Sequence, residues 1–253
     1  MTPFDLDDSM NEQIYELHIG GRAVRYRLRD PGSARYLGAR PVDGGQFDVY
    51  LPDGAIEAAR ERYQTNASDA YLEFELLDAP TAQFLMPDKA CVIHGVAIAW
   101  RGRAWLFCAR SGTGKTTQFR RWLELRPGEI RLVAGDEPVL TLGADGSVLV
   151  WASPWLGKER WFDLPGPVPL GGVVFLRQAE ENRIERLGPE RSARWLMHTF
   201  MAWADDEPQI RGLTALADAV ISNHPVWLLH NRGDLDSARL TMETFESEGG
   251  LDP

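Results

Sequence analysis

The chain has 253 residues, 44% of them hydrophobic, which is enough to build one large domain or two unequal ones. Its formal net charge of −10 opposes binding to phosphate backbones, and no apolar run reaches membrane-spanning length, so neither nucleic acid nor a bilayer is an expected partner. Cys91 and Cys108 are the only cysteines, each inside an apolar run; with an acidic, polar N-terminus that lacks a signal-peptide pattern, they point to core thiols in a reducing, cytoplasmic setting.

In chain order, the residues through Asn11 read as loosely attached. Ile14 to Ile19 and Arg22 to Leu28 flank Gly20-Gly21 as a hairpin. A Gly-, Pro- and Arg-rich stretch from Arg29 to Gly45 reads as loop, Gln46 to Leu51 as a strand and Ala55 to Tyr63 as a short helix. Tyr71 to Phe84 reads as a strand followed by a helical turn. The chain is therefore expected to divide into a small β-rich N-terminal region, 1–88, and a larger domain, 89–253.

The larger domain opens with Val92 to Trp100 as one apolar strand, a tight turn at Arg101-Gly102-Arg103, and a return strand ending at Cys108. A helix carrying Phe119, Trp122 and Leu123 stops before Pro127. Ile130 to Gly135 is a further strand. Val139 to Leu142 and Val148 to Trp151 flank Asp145-Gly146 as a second hairpin. Strands at Leu170 to Arg177, Arg183 to Leu187 and Pro225 to His230 follow, with helices at Pro189 to Trp203, at Ile210 to Ser222, and from an Asp234 cap to Gly249-Gly250. Two hairpins around one strand–loop–helix unit predict a mixed sheet rather than an all-parallel one. The tryptophans fall in periodic runs and read as core.

The organising stretch is Ala109-Arg110-Ser111-Gly112-Thr113-Gly114-Lys115-Thr116-Thr117. A buried strand enters it and a helix leaves it, the context a phosphate-binding loop (P-loop) requires. Gly112 and Gly114 free the backbone to approach an anion, and the loop amides with the helix start cradle it. Ser111, Gly112, Thr113, Gly114, Lys115, Thr116 and Thr117 are the expected nucleotide-binding residues. Lys115 reaches the outer phosphates and Thr116 holds Mg²⁺. Ala109 stands where the pattern carries its first glycine.

Asp136 follows Lys115 by about twenty residues at a strand end, where a carboxylate beside the γ-phosphate can hold metal or take a proton. Glu137 can take the other of these tasks, so Thr116, Asp136 and Glu137 are the metal candidates. His94, on the strand before the hairpin, is either a satisfied core histidine or a member of the site. Lys158 and Arg160, between Trp155 and Trp161, are candidate acceptor or phosphate clamps, or a solvated basic loop. Ser153 and Arg110 are possible ligand contacts. The other histidines have no metal-ligand spacing.

His94-Gly95, the hairpin, Ser111-Gly112-Thr113-Gly114-Lys115-Thr116-Thr117 and Gly135-Asp136-Glu137 together resemble the HPr kinase and phosphoenolpyruvate carboxykinase superfamily. The size and order of parts are most similar to short bacterial HPr-kinase-like proteins, which also carry alanine at the loop's first position. The resemblance spans Ala90 to His230. It implies an α/β fold with a mixed-sheet P-loop core, ATP and Mg²⁺ on the loop, Asp136 as base toward a serine hydroxyl, Glu137 beside the metal, and His94 as the active-site histidine. The family's acidic pair is Asp-Asp, and its arginine-glycine substrate segment has no counterpart here; Ser153 to Trp161 takes its place. Asp136, His94 and Lys115 are thus the expected catalytic residues of a kinase acting on a hydroxyl of a peptide, small protein or metabolite. A non-catalytic nucleotide-binding partner and a carboxykinase-like lyase are the alternatives, and homo-oligomerisation stays open.

Overall fold

The computed structural model describes residues 13–157 and 160–248. The N-terminal stretch through Asn11, the Gly249-Gly250 stop and the side chain of Lys158 lie outside them. Two compact units divide the chain, 19–21 with 78–248 forming the larger and 13–18 with 22–77 the smaller.

The smaller unit holds β1 (Ile14–Ile19), β2 (Arg22–Arg27), α1 (Ser33–Leu37), β3 (Arg40–Val42), β4 (Val49–Tyr50), α2 (Ala55–Tyr63) and α3 (Asp69–Leu76). Its four strands run in the order β3-β1-β2-β4. The unit is mixed rather than β-rich. Leu72, Phe74 and Leu76 alternate like a strand, yet Ser68 caps a helix by accepting from the Tyr71 amide at 3.2 Å. Ala70, Glu73, Phe74 and Leu77 then share the buried face at helical spacing. Glu73 is fully buried because it has work there: its carboxylate accepts from the amides of Arg29 and Asp30 at 2.7 and 3.0 Å and from the Ser33 hydroxyl at 2.6 Å.

The larger unit begins with α4 (Asp78–Leu85), over the stretch expected to end in a helical turn, and a 3₁₀ turn at Met86–Asp88; the division between the units thus falls at 77/78, ahead of the expected 88/89. There follow β5 (Ala90–Val92), β6 (Val96–Trp100), β7 (Arg103–Cys108), α5 (Lys115–Leu125), β8 (Arg131–Ala134), β9 (Val139–Leu142), β10 (Val148–Trp151), β11 (Val168–Gln178), β12 (Arg183–Arg186), α6 (Pro189–Met197), α7 (Glu207–Asn223), β13 (Val226–Asn231) and α8 (Leu235–Glu248). The main path of the sheet is β5-β9-β10-β11-β7-β6-β8, with β13 pairing β11 and β12. β7 is antiparallel to β6 and parallel to β11, so the sheet is mixed, as the hairpins imply. Arg101 and Gly102, both at positive φ, close the first hairpin, and Gly146 at φ +83° the second.

One face of this sheet buries Trp105, Phe107, Val174, Leu176, Trp227 and Leu229 against α5 and α8. Phe245 of α8 stacks on Trp105 with ring centroids 4.0 Å apart and planes at 10°. The cysteines are core groups: burial pushes both thiols up to about 12. Two tryptophans depart from the expected core placement, Trp203 at 72% and Trp161 at 41% exposure.

Two further expectations are corrected. The apolar run Val92 to Trp100 is two strands, not one, broken at Ile93–Gly95. There the backbone leaves its ladder: His94 N–H donates to Thr199 O at 2.7 Å and Gly95 N–H to Asp136 O at 2.6 Å. The helix from Pro189 ends at Met197 rather than Trp203. Thr199 turns back to donate to Leu196 O at 2.6 Å, and Phe200 bridges Ile93. A tertiary partner for the broken strand outcompetes helix continuation. Among the described residues, no helix is long and apolar enough to cross a membrane.

Candidate functional site

Three strands deliver the site to one edge of the sheet. β7 runs into the glycine loop. β6 is antiparallel to it, with Val96 opposite Phe107, so the residues preceding β6 lie at the same edge. β8 is antiparallel to β6 in turn, with Ala134 opposite Ala97, which brings Gly135, Asp136 and Glu137 there as well. Residues from three separate places in the chain converge because strand polarity forces them to.

Gly112 sits at φ +80° and Gly114 at φ +113°, backbone that L side chains rarely adopt. Gly114 is the N-cap of α5 and brings no side chain to its first-turn amides. A cleft of about 280 Å³ opens over them, lined by Ser111, Gly112, Gly114, Lys115, Thr116 and Thr117 from the loop and helix. Arg120, Gly135 and Asp136 complete the lining. Thr113, a loop residue, is not part of the lining; its amide donates to Arg110 O at 3.2 Å, and the Arg110 side chain is exposed.

Lys115 is buried, with Nζ 2.9 Å from Ala109 O and 2.7 Å from His94 Nε2. An ammonium only donates, so Nε2 accepts and the imidazole proton sits on Nδ1. Nδ1 faces Asp136 Oδ1 at 3.5 Å. Burial and then the Lys115 charge push the His94 pKa below its ordinary value, against the pull of Asp136. The neutral ring thus links cation to carboxylate. His94, Asp136 and Glu137 have side-chain N and O atoms within 4.8 Å of one another; with His94 Nε2 engaged by Lys115 and Nδ1 protonated, the two carboxylates are the members that could hold a metal ion.

The loop of Ser153 to Trp161 reaches this site through Gly157. At φ +64°, a Cβ there would lie 2.7 Å from Asp136 Cβ and 3.1 Å from its Oδ2. Trp161 packs on Phe119 with centroids 6.0 Å apart. Arg160 is exposed at φ +54° and lies outside the cleft lining, and Ser153 is buried, its hydroxyl accepting from the Trp155 amide at 3.2 Å.

Sequence reasoning misses the frame beneath the loop. Gln118, fully buried on α5, donates to Asn231 Oδ1 at 3.0 Å and to Ser237 Oγ at 2.8 Å. Asn231 Oδ1 also accepts from Gly233 N–H at 2.7 Å, and its Nδ2 lies 3.2 Å from where a Cβ on Gly114 would be. Gln178 Nε2, at the end of β11, donates to Gly112 O at 3.3 Å. The available signal is a polar residue on an otherwise apolar periodicity: Gln118 beside Phe119 and Trp122, and Asn231 closing the run from Val226. No protein-family model matches this chain, and no curated protein matches its sequence.

Proposed function

We propose that the chain is an ATP- and Mg²⁺-dependent kinase with a P-loop core of the HPr kinase and phosphoenolpyruvate carboxykinase type, transferring the γ-phosphate to a hydroxyl, serine foremost, of a peptide, small protein or metabolite. The observation that carries this reading is the Lys115–His94–Asp136 chain along a glycine-lined cleft. The cleft, at about 280 Å³, falls just below the ~300–1,000 Å³ of small-molecule pockets. It suits a phosphate tail, with the rest of a nucleotide outside it.

The donor set suits a hard cation: Asp136, Glu137 and the Thr116 hydroxyl supply oxygens of the kind Mg²⁺ prefers. When bound, the metal neutralises charge on the phosphates. The remaining work belongs to the chain. The loop amides and the start of α5 donate to anionic oxygens. Lys115 adds a cation in a buried setting, where its field is little screened. Asp136 takes the proton of the acceptor hydroxyl as its oxygen bonds to phosphorus, and Glu137 stays on the metal side. His94, neutral and with its protonated Nδ1 facing Asp136 Oδ1 at 3.5 Å, orients the Asp136 carboxylate. The unpaired buried thiols fit a cytoplasmic protein.

The experiment is ADP release with serine-bearing peptides, wild type against Asp136→Asn, together with ATP binding by calorimetry. The variant is expected to bind ATP and to lose about 10²–10⁴ in turnover. Equal turnover by the two proteins would remove Asp136 from the reaction.

A further inference from the structure

The sheet face that carries Cys108 continues beyond the cleft into a row of cations. Phe175 on β11 pairs with Cys108, and two residues on, Arg177 pairs with His230 of β13, which pairs in turn with Arg183 of β12. The three side chains therefore stand side by side. Arg183 Nη2 lies 2.9 Å from His230 Nε2. Glu185 is the only carboxylate in the row, shared between Arg183 at 3.3 Å and Arg191 of α6 at 3.0 Å. Arg177 lies over the Trp195 ring at 5.8 Å and has no carboxylate at ion-pair distance among the described residues. Two guanidinium groups thus share one carboxylate and a third stands in register two strands away, in a chain whose net charge is −10.

The chain concentrates positive charge against its own field, with Arg177, Arg183 and Arg191 all exposed. The row also has a direction. α6 crosses above it, from Arg191 beside Glu185, past Trp195 on Phe175, to Thr199, whose carbonyl accepts from His94 N–H. His94 precedes β6; β11 lies two strands away and β12 four, about 10 and 19 Å at the usual strand spacing. An extended peptide advances about 3.3 Å per residue.

We propose that this row docks the acceptor, and that the acceptor is an acidic peptide with carboxylates about three and about six positions from the phosphorylated hydroxyl. The assignment rests on the kinase reading for its direction, but docking itself needs no nucleotide.

The test uses fluorescein-labelled peptides with a single serine. Asp is placed at the third and sixth positions on one side or the other, with Asn and Lys counterparts. Anisotropy without nucleotide is expected to give tighter binding of one Asp peptide than of its Asn counterpart by about tenfold, shrinking as salt is added. Arg177→Glu with Arg183→Glu is expected to reverse the preference toward Lys. Arg177→Gln alone, which leaves the Glu185 pairs intact, is expected to lose only the third-position preference, so the proposal stays testable if the double variant unfolds. Equal binding of Asp and Asn peptides in both orientations overturns it, as does an Asp preference unchanged in these variants. ADP release is read separately. An Asp preference with no phosphoryl transfer keeps the docking row and rejects the kinase, whereas transfer indifferent to the acids rejects the row and keeps the kinase.

Discussion

Replacing Gly157 with alanine probes the position of Asp136 without touching its chemistry. The new Cβ would lie 2.7 Å from Asp136 Cβ, where ordinary contact begins at 3.4 Å, so a displacement of roughly 0.7 Å is needed. Rotation of Asp136 does not relieve it, because the clash is with Cβ and the Asp136 backbone is held by Gly95 N–H at 2.6 Å. A φ of +64° adds about 1 kcal/mol for a residue with a Cβ, which lowers Tm by about 2–4 °C in a domain of this size. A misplacement of about 1 Å can reduce turnover on the order of 10²-fold. The expectation is a folded protein with ATP affinity near wild type and turnover down by about 10- to 100-fold. Calorimetry with ATP, thermal unfolding and ADP release measure the three quantities. Turnover within about twofold of wild type would refute the claim that Gly157 sets the place of a catalytic Asp136.

Lys115→Met is expected to abolish measurable ATP binding and to raise the His94 pKa part of the way toward its ordinary value, since burial, the larger cause of its lowering, stays while the Lys115 charge is gone; an NMR titration showing no rise would contradict the arrangement. His224, at the end of α7, has its pKa lowered by burial and then by Arg103. Its contribution to stability is therefore present above about pH 6.5 and is lost as pH falls through the folded-state value, so His224→Gln should flatten the fall in denaturation midpoint between about pH 7 and 5. Gly212→Ala would drive a Cβ into the Met86 carbonyl, which belongs to the 3₁₀ turn under α7. A loss of about 1–3 kcal/mol or more in urea denaturation is expected, and an unchanged midpoint would show that the helix can lift off the turn at no cost.

What was legible in the sequence was local. Asp145-Gly146 between two alternating runs places the second hairpin at the residues where it forms, Val139–Leu142 and Val148–Trp151. Gly112, Gly114 and Lys115 announce the cleft because a backbone conformation and a helix start both depend on neighbours in the chain. Non-local features were not legible. The break at Ile93–Gly95 depends on Thr199 and Asp136, the Gln118 frame on Asn231 and Ser237, and the seat of Gly157 on Asp136. Each is a contact between residues whose own windows read as ordinary strand, helix or loop. Leu72, Phe74 and Leu76 show the reverse failure: a period of two that a cap and the burial of Glu73 override.

The insertion of β6 between β7 and β8 explains why the site has the members it has. Were β8 the direct neighbour of β7, the carboxylate after it would stand about 5 Å from the loop strand, close enough to Lys115 for a direct ion pair across the mouth of the cleft. With β6 between them the separation doubles to about 10 Å. The gap is bridged by the residue that precedes β6, and an imidazole can accept from an ammonium on one nitrogen while presenting a donor to a carboxylate on the other. Gly95 is required beside it because a Cβ there would lie about 3 Å from Leu106 Cδ1, Phe107 O and Cys108 Sγ, pushing β6 off β7. The His94-Gly95 pair is thus the sheet's own solution to holding a cation and an acid apart while keeping them in electrostatic contact.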